Sequence, residues 1–187
     1  NIPNLIGQQD FDRDPEEWEA IREKLRHYRQ NRTQLHMDDK VLTAWNGLMI
    51  AALAKAGLVL EQPRYLEEAD RTVEFIRTHL TNSDGRLLAR WRDGQSAFSG
   101  KLEDYAFYAW GLLELYQATF RITYLEEAQR MAQVLLEVFF DEERGGFYPY
   151  ASDAEQLLTR TKEVYDGAMP SGNAVAALEL SRLHRLT

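Results

Sequence analysis

The sequence predicts an all-α fold of the α/α-toroid class, built from about three pairs of an outer and an inner helix, with small hairpin-like insertions in the loops. Three observations predict it. Amphipathic helices alternate with helices that are apolar nearly all round, a two-helix unit repeats, and short loops alternate with long ones. The 187 residues are read as one domain over 1–187, since a second would be cramped.

The first helix is expected from Pro15 to Arg32. Asp14 caps it, Pro15 suits its first turn, and Trp18, Ile21, Leu25 and Tyr28 recur at helical spacing. The next, Val41 to Gly57, carries Trp45, Leu48, Met49, Ile50, Ala51, Ala52, Leu53 and Ala54 with almost no polar face, and is expected to be buried all round. Pro63 to Leu80 is striped again, with Tyr65, Leu66, Ala69, Val73, Phe75 and Ile76 on one side and mostly charged residues on the other. Leu102 to Thr119 is mostly apolar, Ile122 to Phe140 is striped, and Pro170 to Leu186 is small and apolar over its first turns. The order is outer, inner, outer, inner, outer, inner.

Internal similarity carries the same message. The run Tyr65-Leu66-Glu67-Glu68-Ala69 recurs verbatim 59 residues on, as Tyr124-Leu125-Glu126-Glu127-Ala128. Asn46-Gly47-Leu48 is matched by Trp110-Gly111-Leu112, 64 residues on. This repeat exceeds the ~34 residues of a tetratricopeptide unit and the ~40–47 of a HEAT unit, and the excess lies in the loops from Thr81 to Lys101 and from Asp141 to Tyr165. Both contain hairpin-like pieces, such as Gly85 to Gly94. Because the helices alternate in direction, the long loops fall at one end, where function usually resides.

Composition narrows the chemistry. Cysteine is absent, so disulfides, thiolate nucleophiles and Cys-ligated zinc are excluded. With 22 basic and 30 acidic residues the net charge is −8, which opposes a nucleic-acid partner. No apolar run reaches the ~20 residues of a membrane span and no leader-like segment opens the chain, so the expectation is a soluble, cytoplasmic protein. His27, His36, His79 and His184 are scattered, with neither His-x-x-His nor His-Glu-x-x-His; no metal and no cofactor are expected. The chain starts without Met and still reads as helix from Leu180 to Thr187, as a piece of a longer protein would.

Each inner helix opens on acids: Asp38 and Asp39, then Glu103 and Asp104, then Glu163 and Asp166. Carboxylates there can cap the helix, and three clusters on one rim can also form a site. The catalytic candidates are Asp39, Asp104 and Asp166. Candidates for contacting a ligand are Asp38, Trp45, Asn46, Glu103, Tyr105, Tyr165, Ser171, Asn173 and His36. Asn46 sits in an apolar helix and is expected to need a buried partner. Ser171 is read first as a cap, because Gly-x-Ser-x-Gly is absent. Trp91, Phe98, Phe147 and Tyr148 add rings that stack on sugars or pack the loops, and Arg90, Arg92, Lys101, Arg160 and Lys162 offer cations for acidic groups.

Three segments together carry a resemblance: Asp38 to Met49 (Asp-Asp-Lys-Val-Leu-Thr-Ala-Trp-Asn-Gly-Leu-Met), Leu102 to Phe107 (Leu-Glu-Asp-Tyr-Ala-Phe), and Tyr165 to Asn173 (Tyr-Asp-Gly-Ala-Met-Pro-Ser-Gly-Asn). They resemble the thioredoxin-domain-containing family that includes spermatogenesis-associated protein 20. The resemblance implies a toroid similar to six-hairpin glycosidases and N-acylglucosamine 2-epimerases, about half of which this chain would supply, and a thioredoxin-like domain elsewhere in the full-length protein as a partner. No Cys-x-x-Cys is present to carry redox chemistry.

Two functions compete. One is a carbohydrate-type site where carboxylates hold hydroxyls or act as acid and base, as in sugar hydrolases or epimerases. The other is a non-catalytic scaffold serving a thioredoxin-like domain or another protein, its acids occupied as caps. Three helix pairs also leave two open flanks, so a second copy of the chain is an expected partner.

Overall fold

A computed structural model describes residues 15–32, 37–155 and 158–187. The chain divides into two units, Asn1–Asp38 and Asp39–Thr187. In the first, the described structure is helix α1 (Pro15–Gln30), ending two residues short of the predicted Arg32. Trp18, Ile21, Leu25 and Tyr28 are exposed. The predicted cap Asp14 lies outside the described residues.

The second unit runs β1 (Val41–Leu42), α2 (Thr43–Val59), α3 (Pro63–His79), β2 (Leu88–Arg92), β3 (Gln95–Ser99), α4 (Leu102–Thr119), α5 (Ile122–Val134) and α6 (Gly172–Leu186). A π turn, Leu135–Phe139, continues α5, so the last predicted helical turn is present in a wider winding. The inner helices α2, α4 and α6 pack side by side in that order; α3 backs α2 and α5 backs α4. This is an α/α-toroid arrangement, all-α apart from one small sheet.

Two expectations change. Val41 and Leu42 are not helical: they form a short strand that pairs antiparallel with Trp91 and Arg90, because β2 has an open edge on that side. Helix α2 is also not buried all round. Trp45 and Met49 are 59% and 55% exposed, since α2 has inner-helix company on one flank and none on the other among the described helices of its unit. Helix α4 meets that expectation instead, with α2 and α6 on its flanks and α5 behind. Tyr105, Phe107, Tyr108, Leu112 and Leu115 are sealed in the core.

The predicted hairpin lies further along than Gly85 to Gly94. Strands β2 and β3 flank Asp93-Gly94, whose φ values of 51° and 76° are the paired positive angles that a two-residue hairpin turn demands. Asp-Gly meets that demand at little steric cost. Among the described residues, the second long loop is pinned by one bridge, Phe147 to Phe140 just before it. None of the described helices is long and apolar enough to cross a membrane.

Candidate functional site

All three inner helices begin at one mouth. The Ala44 N–H at the start of α2 donates to Asp104 Oδ1 in the first turn of α4, at 2.9 Å. Gly172, the first residue of α6, packs so closely on Leu102 and Glu103 that a Cβ there would meet the Leu102 side chain at 2.9 Å. Asp104 also caps its own helix, accepting from the Lys101 N–H at 2.8 Å. Both its oxygens are thus held by backbone donors of two inner helices. Burial raises its pKa to about 6, with the two N–H donors pulling the other way and the Glu103 charge adding to the rise.

The other sequence candidates are placed as follows. Asp166 accepts from the Ser171 N–H at 2.8 Å, and Ser171 Oγ caps α6 by accepting from the Ala174 N–H at 3.1 Å. Asn173 staples the second long loop to α6: Oδ1 accepts from the Phe147 N–H at 2.7 Å, and Nδ2 donates to the carbonyls of Phe147 and Glu163 at 2.9 and 3.0 Å. Tyr105 is buried, its hydroxyl accepting from the Leu87 N–H at 2.9 Å and from Arg86 Nε at 3.2 Å. Asp39 lies in an ion pair with Arg92, Oδ1 to Nε at 2.8 Å.

Asn46 is half-buried, and its Nδ2 donates to the Leu42 carbonyl one turn back at 2.8 Å. The partner expected for it is this half-buried local carbonyl, because the first turn of a helix presents carbonyls four residues away. Trp45 and Tyr165 are exposed and line neither cavity described next. Asp38 is exposed, and His36 lies outside the described residues.

Glu103 stands apart from the caps. It is half-buried and lines a cavity of about 150 Å³ together with Lys101, Pro149, Tyr150, Glu163 and Gly172. Burial pushes its carboxyl pKa upward, the nearby Glu163 charge pushes the same way, and Lys101 opposes them. A carboxyl whose pKa is raised by burial and by a second carboxylate is suited to proton exchange with a substrate. Lys101 and Tyr150 also line a neighbouring cleft of about 610 Å³ between the hairpin and the second long loop, with Lys40, Arg90, Phe98 and Glu155 around it. The two hollows share Lys101 and Tyr150 in their walls and are taken together as one groove, with Glu103 and Glu163 in the smaller and Lys40, Arg90 and Glu155 in the larger.

Sequence reasoning named Glu103, Arg90, Lys101 and Phe98 for the mouth but missed Tyr150, Lys40 and Glu155. The aromatic run Phe147-Tyr148-Pro149-Tyr150 was the available signal, and its alternation across an irregular loop does not tell which ring faces the groove. Tyr148 stacks under Arg160 and Lys162, 4.0 and 4.9 Å from its centroid. Pro149 and Tyr150 are the two of the run that line the smaller cavity.

No family model matches the chain. Among curated proteins it is 39% identical over 177 residues to spermatogenesis-associated protein 20 of Rattus norvegicus and 38% identical over 177 residues to that of Homo sapiens, each match covering 88% of this chain. The chain spans 22% of the length of these relatives. Among solved structures it is similar to cellobiose 2-epimerase from Bacillus thermoamylovorans, with TM-score 0.65 and 17% identity over 81% of this chain and 41% of that one. A C. acetobutylicum glycoside hydrolase from family 105 gives TM-score 0.63 and 13% identity, covering 95% and 54%. A family 76 glycoside hydrolase (mannosidase) from Bacteroides thetaiotaomicron gives 0.60 and 16%, covering 80% and 40%. At these identities the likeness is one of fold. Over the stretch they share, the chain is a homologue of spermatogenesis-associated protein 20, and its fold is that of a segment of an α/α toroid.

Proposed function

We propose that the groove at the inner-helix mouth binds a sugar-like, polyhydroxylated small molecule, with Glu103 as the proton-exchanging group and Glu163 as the carboxylate beside it. The observation that carries this reading is the contrast between the carboxylates. Asp104 and Asp166 are occupied by backbone N–H groups, whereas Glu103 lines a cavity beside Glu163, with burial raising its carboxyl pKa. Tyr150 supplies a ring against which a sugar face stacks. The fold neighbours named above are sugar epimerases and glycosidases, which supports the substrate class. In this reading Asp104, Asp166 and Asn173 hold the mouth in shape and Glu103 meets the ligand.

Isothermal titration of the 187-residue chain with cellobiose, mannose and glucose tests it. Saturable binding of at least one, with about millimolar affinity and weakened about tenfold in Glu103→Ala, is the expected result. Absence of saturable binding to every sugar overturns it. A second reading, a scaffold that serves a thioredoxin-like domain or another protein, draws on the same caps: Asp104, Asp166, Ser171, Asn173 and Tyr105 all spend hydrogen bonds inside the fold. It would gain if Glu103→Ala changed partner capture and no sugar bound.

A further inference from the structure

The cations that the sequence brings to the mouth divide into two groups. Arg92 is paired with Asp39, Lys162 with Asp141 at 2.5 Å, and Arg86 with Asp153 at 3.2 Å. Arg160 donates to the Tyr150 carbonyl at 2.7 Å and stacks on Tyr148. Arg90 and Lys101 differ. Among the described residues neither has a carboxylate within ion-pairing range; each lies over a ring instead, Arg90 over Phe98 at 5.1 Å and Lys101 over Tyr150 at 5.4 Å. Both line the larger cleft, where Lys40 adds a third cation and Glu155 is the acid of the lining.

A ring under a guanidinium holds it in place and leaves its N–H edge free to donate. The backbone of Arg90 is fixed as well. It sits in the central strand, paired with Leu42 on one side and Ala97 on the other. The ladder skips Phe98, whose φ of 64° lies in the left-handed region that is costly for a bulky residue. In that conformation within β3, the Phe98 ring lies against the Arg90 guanidinium. A cleft lined by Arg90, Lys101 and Lys40 in a chain of net charge −8 is a local exception to the protein's overall charge and favours small anions.

We propose that the ligand of the groove carries a carboxylate or a phosphate, received by Arg90 and Lys101 at the basic end while its hydroxylated part reaches Glu103. This rests on the reading of the groove as a sugar-type site and narrows the substrate class to acidic sugars. Lys101 lines both hollows and joins the two ends.

The test is titration of the 187-residue chain with glucose, glucuronate, glucose 6-phosphate and inorganic phosphate at low and high salt. The expected result is that an acidic sugar binds about tenfold more tightly than glucose, that added salt erodes the difference, and that Arg90→Gln and Lys101→Gln each collapse it. Arg64→Gln, a surface cation on α3, leaves the difference intact. A preference for glucuronate over glucose 6-phosphate, or the reverse, identifies the anion. Equal affinity for glucose and both acids, or a preference that survives in both variants while their thermal melts stay cooperative, overturns the inference and leaves the sugar site standing. Inorganic phosphate binding as tightly as glucose 6-phosphate, with glucose not bound at all, upholds the anion contacts and sinks the sugar reading. No binding of any of the four overturns both.

Discussion

The carbonyl oxygen of Gly47 on α2 lies only 2.8 Å from where a Cβ on Gly111 of α4 would sit, and a Cβ on Gly47 would approach the Phe107 and Tyr108 backbone at 2.6 Å. The two inner helices touch backbone to backbone, and a methyl on either side has nowhere to go. Gly47→Ala and Gly111→Ala are each expected to cost at least the ~1–3 kcal/mol of an overpacked core, despite the gain in helix propensity. Urea denaturation checks this; a variant as stable as the parent would mean that the helices can separate.

Asp104 links stability to pH. Its folded pKa of about 6 exceeds the unfolded value of about 3.9, so between those values the folded chain holds the proton more tightly. The contribution of this group therefore declines as pH rises from about 4 to 6 and is level above that. Asp104→Asn removes the slope and turns one donor toward a backbone N–H, at about 1–3 kcal/mol. Denaturation near pH 4 and near pH 7 should show a larger loss from the substitution at the lower pH.

Asn46→Leu should be nearly neutral, within about 0.5 kcal/mol. The Leu42 carbonyl that accepts from Asn46 Nδ2 is a first-turn helix carbonyl, already placed to accept a backbone N–H, so the substitution strands no buried group. A loss above that range in chemical denaturation would show that the amide has another partner.

The outer helices are tied to the inner layer through one buried carboxylate. Glu127 accepts from Tyr108 Oη at 2.7 Å and from Arg77 Nε and Nη2 at 2.8 and 2.5 Å. Tyr108→Phe should cost about 1–3 kcal/mol, and Arg77→Met about 3–5, because it leaves the buried charge uncompensated. A double-mutant cycle should give a clear coupling between the two; independent effects would count against one shared network.

Exposed apolar groups on α2 set the behaviour of the isolated chain. Trp45, Met49 and Ala52 lie on one helical face, and Val59 two turns further on is 70% exposed. A patch of this kind tends to find a partner. Sedimentation across a concentration range should reveal self-association, weakened in Trp45→Gln/Met49→Gln. A monomer at every concentration that takes up no hydrophobic dye would contradict this.

Period-3.6 stripes and the recurrence of Tyr65 to Ala69 as Tyr124 to Ala128 made α3 and α5 legible, with their positions behind α2 and α4. The Asp93-Gly94 pair carried its turn in its own residues. What local pattern could not carry was pairing. Val41 and Leu42 look like helix until β2 offers a free edge, and the apolar surface of α2 looks buried until the flanks are counted. The mouth divides the same way. That acids cluster where the inner helices begin follows from the order of residues alone, because spacing along a helix is a local property. Which of them face a ligand does not follow, since Asp104 finds the Ala44 N–H across 60 positions of chain, Asp39 pairs with Arg92, and Arg90 lies over a ring. By itself the sequence determined the helices, their alternation and the end at which the loops gather; only the tertiary structure decided which carboxylates and cations are spent on the backbone and on each other, because hydrogen bonds and ion pairs between distant segments are settled by packing, not by periodicity.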